Sequence, residues 1–503
     1  MRKRKAFLNM SSSLIYQVVA IICGLITPRL ILATFGSTYN GVISSATQFL
    51  GMINVLTLGI TGSTRVALYK TLANNDTHGT SRLIKATDIY MRKVAGGVVI
   101  YALLLSLLYP MFSHNELTAV QNASLIAVVS IGTFSEYFFG ITNRTLLQAD
   151  QASYISYISD ILQTICNTIC VAILIKLNCS IYIVKLGSSL VFLMAPAIVS
   201  LYIHKKYSID RKCEPDNTGI KNRGAVAFHS IANIIHQNVD LVVLTIFTDA
   251  KLISVYTVYY LVIGKIRNLM MVFTAGMEAA FGDMWVKKEM ESLQSNFKSF
   301  EYLLFTFATV VFSCVGVLIL PFIALYTKGV TDVNYIRIEL AILITVAEAM
   351  YCIRQPYLTL VYATGSYEQT KKGAAIEAVM NIVLSLTLVN FIGIAGVIVG
   401  TFFANLFRTT QFSLYVSKNI LQRNIAVVIK RVLWVIINSA LIVGASLIIQ
   451  HFVAFSETWW GWIILAAVVF VIACIITVIT SLVCYRDDFK RLLNTGLAVF
   501  KKK

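Results

Sequence analysis

Charged residues are scarce in this chain of 503 residues. Lys, Arg, Asp and Glu together make up 13% of the sequence, whereas hydrophobic residues make up 57%. Soluble domains carry about 25% charged residues, so this chain cannot supply the polar surface that a soluble fold of its length needs. Proline is also rare, with 6 residues, and the 28 phenylalanines argue against a disordered chain. The composition therefore predicts a polytopic membrane protein.

Motifs of soluble enzymes and metal sites are also missing. The nine cysteines form no CxxC pair and no zinc-ligand spacing, and no GxxxxGK[ST], HExxH or nucleophile-elbow motif occurs. The hydrophilic segments around 63–90 and 204–224 are too short to be catalytic domains. We therefore expect no catalytic residue, no metal and no cofactor. Energy would have to come from an ion gradient, the membrane potential or a substrate gradient.

Fourteen apolar runs are long enough to cross a bilayer, for which a helix needs about 20 residues. The predicted spans are 10–34, 38–62, 91–112, 119–142, 153–175, 180–203, 225–247, 252–276, 302–326, 338–362, 373–390, 393–415, 432–452 and 460–484. The predicted fold class is accordingly all-α, with about 14 transmembrane helices.

The basic residues are distributed unevenly between the two sides of these spans. Of the 42 Lys and Arg residues, thirty-two fall in the two tails and in the connections on one side, and four fall on the other side. Cytoplasmic loops of membrane proteins retain Lys and Arg, so this pattern predicts that both termini are cytoplasmic and that the span count is even. The net charge of +18 is thus a topology signal and does not indicate nucleic-acid binding.

The chain repeats itself at an offset near 212 residues, at which Phe35 falls on Phe247 and Glu136 falls on Glu348. Each half holds six spans and has the same orientation, which is typical of parallel-repeat transporters. The predicted parts are a six-helix lobe at 1–203, a cytoplasmic linker at 204–224, a second six-helix lobe at 225–416, two extra helices at 417–485 and a basic tail at 486–503.

Six basic and six acidic residues lie inside the predicted spans. A charge near the bilayer centre costs about 2.5–3.5 kcal/mol or more, so these residues are functional candidates, although their equal numbers also permit structural pairs. They are Arg29, Lys185, Lys265, Arg267, Arg354, Arg408, Glu136, Asp160, Asp240, Glu278, Glu348 and Glu377.

Helical spacing places several of them on polar stripes. On the seventh span, His229, Asn233, His236 and Asp240 recur on one face, and four polar groups on one stripe are typical of a helix that lines water. Similar polar stripes lie on two other spans. The stripe on the fourth span consists of Thr133, Glu136, Gly140 and Asn143, and the stripe on the tenth span consists of Glu348, Cys352, Gln355 and Thr359.

The arginines differ in what their positions predict. Arg267 shares a face of the eighth span with Tyr256 and Tyr260, whereas Lys265 lies on the opposite face, so we expect Arg267 to face the cavity. Arg29 follows Pro28, which can bend the first span, and it either contacts the cargo or pairs with an acid or an outer headgroup. Three further arginines keep two interpretations each: Arg65 contacts an entering anion or is a plain cytoplasmic flank, and Arg354 and Arg408 line the cavity or snorkel.

Two clusters predict structural roles. Gly393, Gly396 and Gly400 recur at helical spacing and predict a closely packed face on the twelfth span. Trp459, Trp460 and Trp462 predict an anchor at the membrane–water interface, where tryptophan is enriched.

The stretch PRLILATFGSTYNGVISSATQFLGMINVLTLGITGSTRVALYKTLANND resembles the start of bacterial polysaccharide-export (Wzx-type) flippases. Three further features resemble the sequences of that family: the turn FGSTYNGV, the glycines Gly59 and Gly62 followed by Arg65, and the segment IGIAGVIVG. The resemblance covers essentially the whole chain. These flippases belong to the multidrug/oligosaccharidyl-lipid/polysaccharide exporter superfamily, which also holds the lipid II flippase and multidrug extruders.

The resemblance implies an alternating-access transporter of two lobes in the bacterial plasma (inner) membrane. Its cargo would be an oligosaccharide on a polyprenyl diphosphate, and membrane lipids, a polysaccharide polymerase and glycosyltransferases would be its partners. Arg29, Arg65 and Arg267 match positions at which the lipid II flippase carries cationic residues. Leu30, however, follows Arg29 where that relative has an Arg-Asp pair, which disfavours lipid II itself as the cargo.

Two other functions compete with this one. A cation-coupled multidrug antiporter of the same superfamily would use an acidic cavity, for which Glu136, Asp240, Glu348 and Glu377 are available. A membrane glycosyltransferase or acyltransferase would need a catalytic loop that the short outer connections do not offer. The sugar, the coupling ion and the oligomeric state cannot be read from the sequence.

Overall fold

Helices occupy the predicted spans wherever the computed structural model describes them. The structure describes residues 2–57, 60–210, 212–216, 238–453 and 456–501, and within these ranges the fold is all-α, as the composition predicted. Nine helices among the described residues are long and apolar enough to cross a membrane. The count of fourteen crossings stays a prediction.

The helices of the first half follow one another with short turns. They are α1 (Arg2–Gly51), α2 (Ile60–Ala73), α3 (Thr77–Phe112), α4 (Ala119–Ser135), α5 (Ile141–Ala149), α6 (Ser153–Lys176), α7 (Ile181–Val191) and α8 (Met194–Lys206). A 3₁₀ helix at Met52–Thr57 follows α1, and a π-helical turn at Glu136–Gly140 joins α4 to α5.

Nine described helices follow the gap in the described residues. They are α9 (Asn238–Phe247), α10 (Ala250–Val286), α11 (Met290–Tyr326), α12 (Ile338–Ala363), α13 (Tyr367–Ile392), α14 (Ile394–Tyr415), α15 (Ala426–Phe452), α16 (Trp459–Cys484) and α17 (Arg486–Lys501).

α1 breaks at Gly36, within the turn that the sequence predicted between the spans 10–34 and 38–62, and not at Pro28, where a bend was also considered. The helix continues through Pro28, whereas Gly36 has φ 83° and ψ −179°, a conformation that only glycine adopts without strain. The carboxylate of Asp332 accepts hydrogen bonds from the Ser37 amide at 2.7 Å and the Ser37 hydroxyl at 2.6 Å. Gly36 therefore divides α1 into the first two predicted spans.

The chain packs as two compact units, Met1–Thr257 with Gly329–Val333, and Val258–Lys328 with Asn334–Lys503. The lobe boundaries expected from the repeat stay a prediction. In the first unit, α1, α3, α4, α6 and α7 bury a shared core that includes Val42, Tyr109 and Val184. That packing fixes the positions from which α4, α5 and α6 present their polar residues.

The start of α1 is tied to the end of α5 and to the segment after α8. The Lys5 ammonium lies 3.0 Å from the Asp150 carboxylate, and the Tyr207 hydroxyl donates a hydrogen bond of 2.6 Å to the same group. Burial, followed by this hydrogen bond to Asp150, raises the pKa of the Tyr207 phenol. Tyr207 therefore stays protonated and continues to donate to Asp150.

In the second unit, α13 and α14 approach each other closely. A Cβ at Gly396 would meet the backbone of Leu388, and a Cβ at Gly400 would lie 2.7 Å from the Ser385 hydroxyl, so the predicted packing face is confirmed at these two glycines. It is wrong for Gly393, which has φ 58° and forms the turn between the two helices. α15 and α16 pack against α11.

A buried carboxylate joins four helices of the second unit. Glu301 of α11 is fully buried and accepts hydrogen bonds from the Tyr357 hydroxyl at 2.6 Å and from Arg423 at 2.9 Å. Arg431 of α15, which is 1% exposed, lies 3.4 Å from Glu301 and 3.0 Å from Asp488 of α17. We call Glu301, Tyr357, Arg423, Arg431 and Asp488 the Glu301 network.

Candidate functional site

Arg267 of α10 lies between two aromatic rings. Its guanidinium carbon is 5.3 Å from the ring centroid of Tyr260 and 5.2 Å from that of Tyr351. Both distances are within the range of a cation–π interaction. The nearest carboxylate oxygen, on Glu348 of α12, is 3.6 Å from the Arg267 nitrogen, which is an ion pair but too long for a good hydrogen bond. The rings position the guanidinium, which donates no hydrogen bond among the described residues, so its donor edge is open to another acceptor.

Two more arginines lie close to this position. Arg354 of α12 donates a hydrogen bond of 2.5 Å to Glu377 of α13, and its guanidinium carbon lies 4.4 Å from the ring centroid of Tyr351. Arg408 of α14 lies 3.2 Å from the other oxygen of Glu377. Both side chains are buried, and their shared contact with Glu377 joins α12, α13 and α14, while the cavity and snorkelling roles considered for them stay predictions.

These five ionisable residues carry a surplus of positive charge. Three arginines (Arg267, Arg354 and Arg408) face two carboxylates (Glu348 and Glu377), and we call the five residues the arginine cluster. Glu377 is shared by Arg354 and Arg408, so the surplus lies on that group, whereas Arg267 and Glu348 balance each other. The Arg267 side chain is 14% exposed, against 5% for Arg354 and 3% for Arg408. An anion that entered the cluster would therefore meet Arg267 first.

In the first unit, Arg144 of α5 bridges two carboxylates. It donates hydrogen bonds of 2.8 and 2.6 Å to the two oxygens of Asp160 on α6, and its Nε lies 3.0 Å from Glu136. The π-helical turn puts the Glu136 carboxylate against Gly140, where a Cβ would be only 2.8 Å away. The three residues Glu136, Arg144 and Asp160, which we call the Arg144 bridge, have one negative charge more than positive charges.

Sequence reasoning missed Arg144, because the predicted fourth span ends at 142 and Arg144 then belongs to the cytoplasmic connection. The signal that could have found it is the pair of acids Glu136 and Asp160, which need a base, and Arg144 is the nearest base in the chain. The bridge also repeats in the second unit, where Arg354 joins Glu377 between the helices that correspond by the repeat offset.

Removing the charge of Arg144 should destabilise the protein, and a second substitution at Asp160 should restore part of the lost stability. The Arg144→Gln variant leaves two carboxylates without their base, and breaking a buried pair in this way costs about 3–5 kcal/mol. A second change, Asp160→Asn, removes the acid that Arg144 contacts most closely. We expect Arg144→Gln to unfold at a lower temperature and Arg144→Gln/Asp160→Asn to regain part of the loss, as measured by thermal unfolding in detergent. An equal loss in both variants would contradict the charge argument.

The other predicted site residues that the structure describes lie outside the arginine cluster and the Arg144 bridge. Asp240 of α9 is buried and accepts a hydrogen bond of 3.0 Å from the Tyr256 hydroxyl. Arg29 is half-buried on α1, and Arg65 is exposed on α2, where it donates a long hydrogen bond of 3.4 Å to Gln148. His229, Asn233 and His236 lie outside the described residues. Of the predicted site residues, the structure therefore groups Arg267, Glu348 and Arg354, and pairs Glu136 with Arg144.

Comparison with known proteins gives structural matches without sequence matches. No family model matches the chain, and no curated protein matches it. Among solved structures, it is similar to the lipid II flippase MurJ in an inward closed conformation, with a TM-score of 0.72 at 15% identity over 96% of this chain and 99% of MurJ.

Multidrug transporters of the MATE family share the same arrangement. An inward-facing MATE transporter of the MOP superfamily matches with a TM-score of 0.64 at 16% identity, over 79% of this chain and 95% of that one. The MATE multidrug transporter DinF-BH, solved as a complex, matches with a TM-score of 0.59 at 14% identity, over 82% and 95%. The chain therefore has the multi-pass helical fold that MurJ and the MATE transporters share.

Proposed function

We propose that this protein is a flippase that moves a polyprenyl-diphosphate-linked oligosaccharide from the cytoplasmic to the outer leaflet by alternating access. The cargo would be the repeat unit of an O-antigen, a capsule or an exopolysaccharide. The observation that carries the proposal is the position of Arg267, fixed between Tyr260 and Tyr351 with only a 3.6 Å ion pair to Glu348.

A diphosphate suits this arrangement for three reasons. The guanidinium of arginine is planar and presents paired donors that match phosphate oxygens in a bidentate contact. The cluster has one arginine more than carboxylates, so an anion restores neutrality. The rings on Arg267 orient its donors before the cargo arrives, which reduces the entropy that binding has to overcome. The similarity to a flippase named for a lipid substrate supports a lipid cargo.

The cellular setting follows from the charge distribution and the proposed cargo. The excess of Lys and Arg on one side supports cytoplasmic termini in a bacterial plasma (inner) membrane. Glycosyltransferases would supply the lipid-linked repeat unit on the cytoplasmic side, and a polysaccharide polymerase would consume it on the other side.

A cation-coupled multidrug antiporter is the second candidate, and the Arg144 bridge favours it. Glu136 and Asp160 share a single arginine, and the Glu136 side chain is 41% exposed, so this part of the first unit can attract a cation. The MATE multidrug transporters have a similar fold.

A reconstitution experiment distinguishes the flippase from the multidrug antiporter. Purified protein is placed in sealed liposomes with a fluorescent polyprenyl-diphosphate disaccharide, and in parallel with the cationic dye ethidium. The flippase proposal expects the lipid to become accessible to a reagent outside the liposomes faster than in protein-free liposomes, with no accumulation of the dye. Movement of ethidium driven by a sodium or proton gradient, with no effect on the lipid, would reverse the assignment. Mass spectrometry of lipids that copurify with the protein identifies the natural cargo.

A further inference from the structure

A cavity lies in the second unit, and none of the residues of the arginine cluster line it. It has a volume of about 530 Å³ and is formed where α11 and α15 end and α16 begins. Cavities of about 300–1,000 Å³ are typical of small-ligand sites. The proposed transport function uses none of the residues that line it.

The walls of this cavity are held in place by specific contacts. Trp462 was predicted to belong to an interfacial anchor, but its indole N–H donates to the Leu318 carbonyl at 3.2 Å, and its ring packs edge-on against Phe322 at 5.5 Å. Gly461 lies so close to Ser456 that a Cβ there would collide with the Ser456 carbonyl. The two tight approaches fix the shape of the cavity.

The cavity lies at the depth of lipid headgroups. Trp459 and Trp460, at the start of α16, are 47% and 76% exposed, and exposed tryptophans at a helix end are typical of the membrane–water interface. The apolar part of the lining comes from residues such as Leu325 and Leu465, and the polar part comes from the helix ends. A ligand here would place a polar end toward water and an apolar end toward the bilayer.

The polar lining offers groups of both charges. Lys328 supplies a cation, Glu457 supplies a carboxylate, and Gln450 and Ser456 supply an amide and a hydroxyl. The amide nitrogen of Gln450 is buried and has no hydrogen-bond acceptor among the described residues. A buried donor without an acceptor costs free energy, and a ligand oxygen would satisfy it.

We propose that this cavity binds the phosphoethanolamine headgroup of a membrane phospholipid. Lys328 and the Gln450 amide contact the phosphate oxygens, and the Glu457 carboxylate contacts the ammonium group. Leu325 and Leu465 cover the glycerol region and the upper acyl chains. The lining carries one positive and one negative charge, which fits a zwitterion better than an anionic lipid. The lipid is a bound component of the protein and not its cargo.

Native mass spectrometry and thermal unfolding test this proposal. The delipidated protein is titrated with phosphatidylethanolamine, phosphatidylglycerol and phosphatidylcholine. We expect one phosphatidylethanolamine to bind about tenfold more tightly than either other lipid, because of the three headgroups only its ammonium combines a positive charge with N–H donors for Glu457. The same lipid should raise the unfolding temperature most.

Two variants and a control complete the test. Glu457→Gln should remove the preference for phosphatidylethanolamine, and Gln450→Leu should weaken binding of all three lipids. Glu339→Gln changes an exposed carboxylate at the start of α12 and should leave the preference unchanged. Equal affinities for the three lipids in the unmodified protein, or a preference for phosphatidylglycerol, would overturn the proposal.

Discussion

Transport of a polyprenyl-diphosphate cargo by the Arg267→Lys variant is expected to fall about tenfold, even though the variant keeps the positive charge. Lysine cannot make a bidentate contact with a phosphate, and it stacks less well between Tyr260 and Tyr351. The Arg267→Ala variant should lose about tenfold to a hundredfold, since a hydrogen bond to a charged group contributes about 1.5–3 kcal/mol. The measurement is the initial rate of lipid movement in proteoliposomes.

A matched control lies two residues away on the same helix. Lys265 is half-buried on α10, and the sequence places it on the opposite face from Arg267. Lys265→Ala should therefore change the rate by less than about twofold, the effect of an ordinary surface substitution. The Arg267→Lys variant also serves as a control for misfolding. It preserves the positive charge beside Glu348, so the unfolding temperature of this variant should stay close to that of the unmodified protein. Full activity in Arg267→Ala, or a larger loss in Lys265→Ala, would place the cargo site elsewhere.

The Glu301→Ala variant is expected to lose about 3–5 kcal/mol of stability. Its carboxylate is the acceptor for Tyr357 and for Arg423, and it also faces Arg431, which is 1% exposed. Removing it leaves two guanidinium groups in a buried position with one remaining carboxylate, that of Asp488. Loss of the charge also releases the contact that joins α11 to α15, so unfolding should begin in this part of the second unit.

An exposed ion pair in the same unit provides the control. Glu368 and Lys371 are 2.9 Å apart, and their side chains are 64% and 50% exposed. Exposed pairs contribute about 0–1 kcal/mol, so Glu368→Ala should unfold within a few degrees of the unmodified protein. The two variants are compared by thermal unfolding in the same detergent. If Glu301→Ala were as stable as Glu368→Ala, the Glu301 network would not hold these helices together.

Much of the helical framework could be predicted from the sequence, because apolar length and the positions of Lys and Arg are local properties. The turn at Gly36 was predicted from the gap between the first two apolar runs, whereas the contact of Ser37 with Asp332, 295 residues away, could not be predicted. Trp462 shows the same limit. It follows Trp459 and Trp460 in the sequence, but its indole N–H donates a hydrogen bond to the Leu318 carbonyl of α11.

The candidate site was predicted in part. The face shared by Tyr260 and Arg267 is a property of one helix, and helical spacing identified it. The partners of the charges depend on other helices: Glu301 meets Arg423 and Arg431 over separations of more than 100 residues, and those arginines are loop charges in the predicted topology. Arg144 was missed for a related reason, since a span boundary that moves by two residues changes a cytoplasmic flank into a membrane-embedded base.

The ion pair between Arg144 and Asp160 and the one between Arg354 and Glu377 join corresponding helices of the two repeats, and such a pair of contacts has a consequence for how a duplicated membrane fold can diversify. A duplicated gene begins with two copies of one bracing contact. One copy can then gain or lose a neighbouring charge while the other goes on supporting its own half. Here the first contact has an extra acid, Glu136, and the second has an extra base, Arg408. The same kind of helix–helix contact thus carries a net negative charge in one unit and a net positive charge in the other.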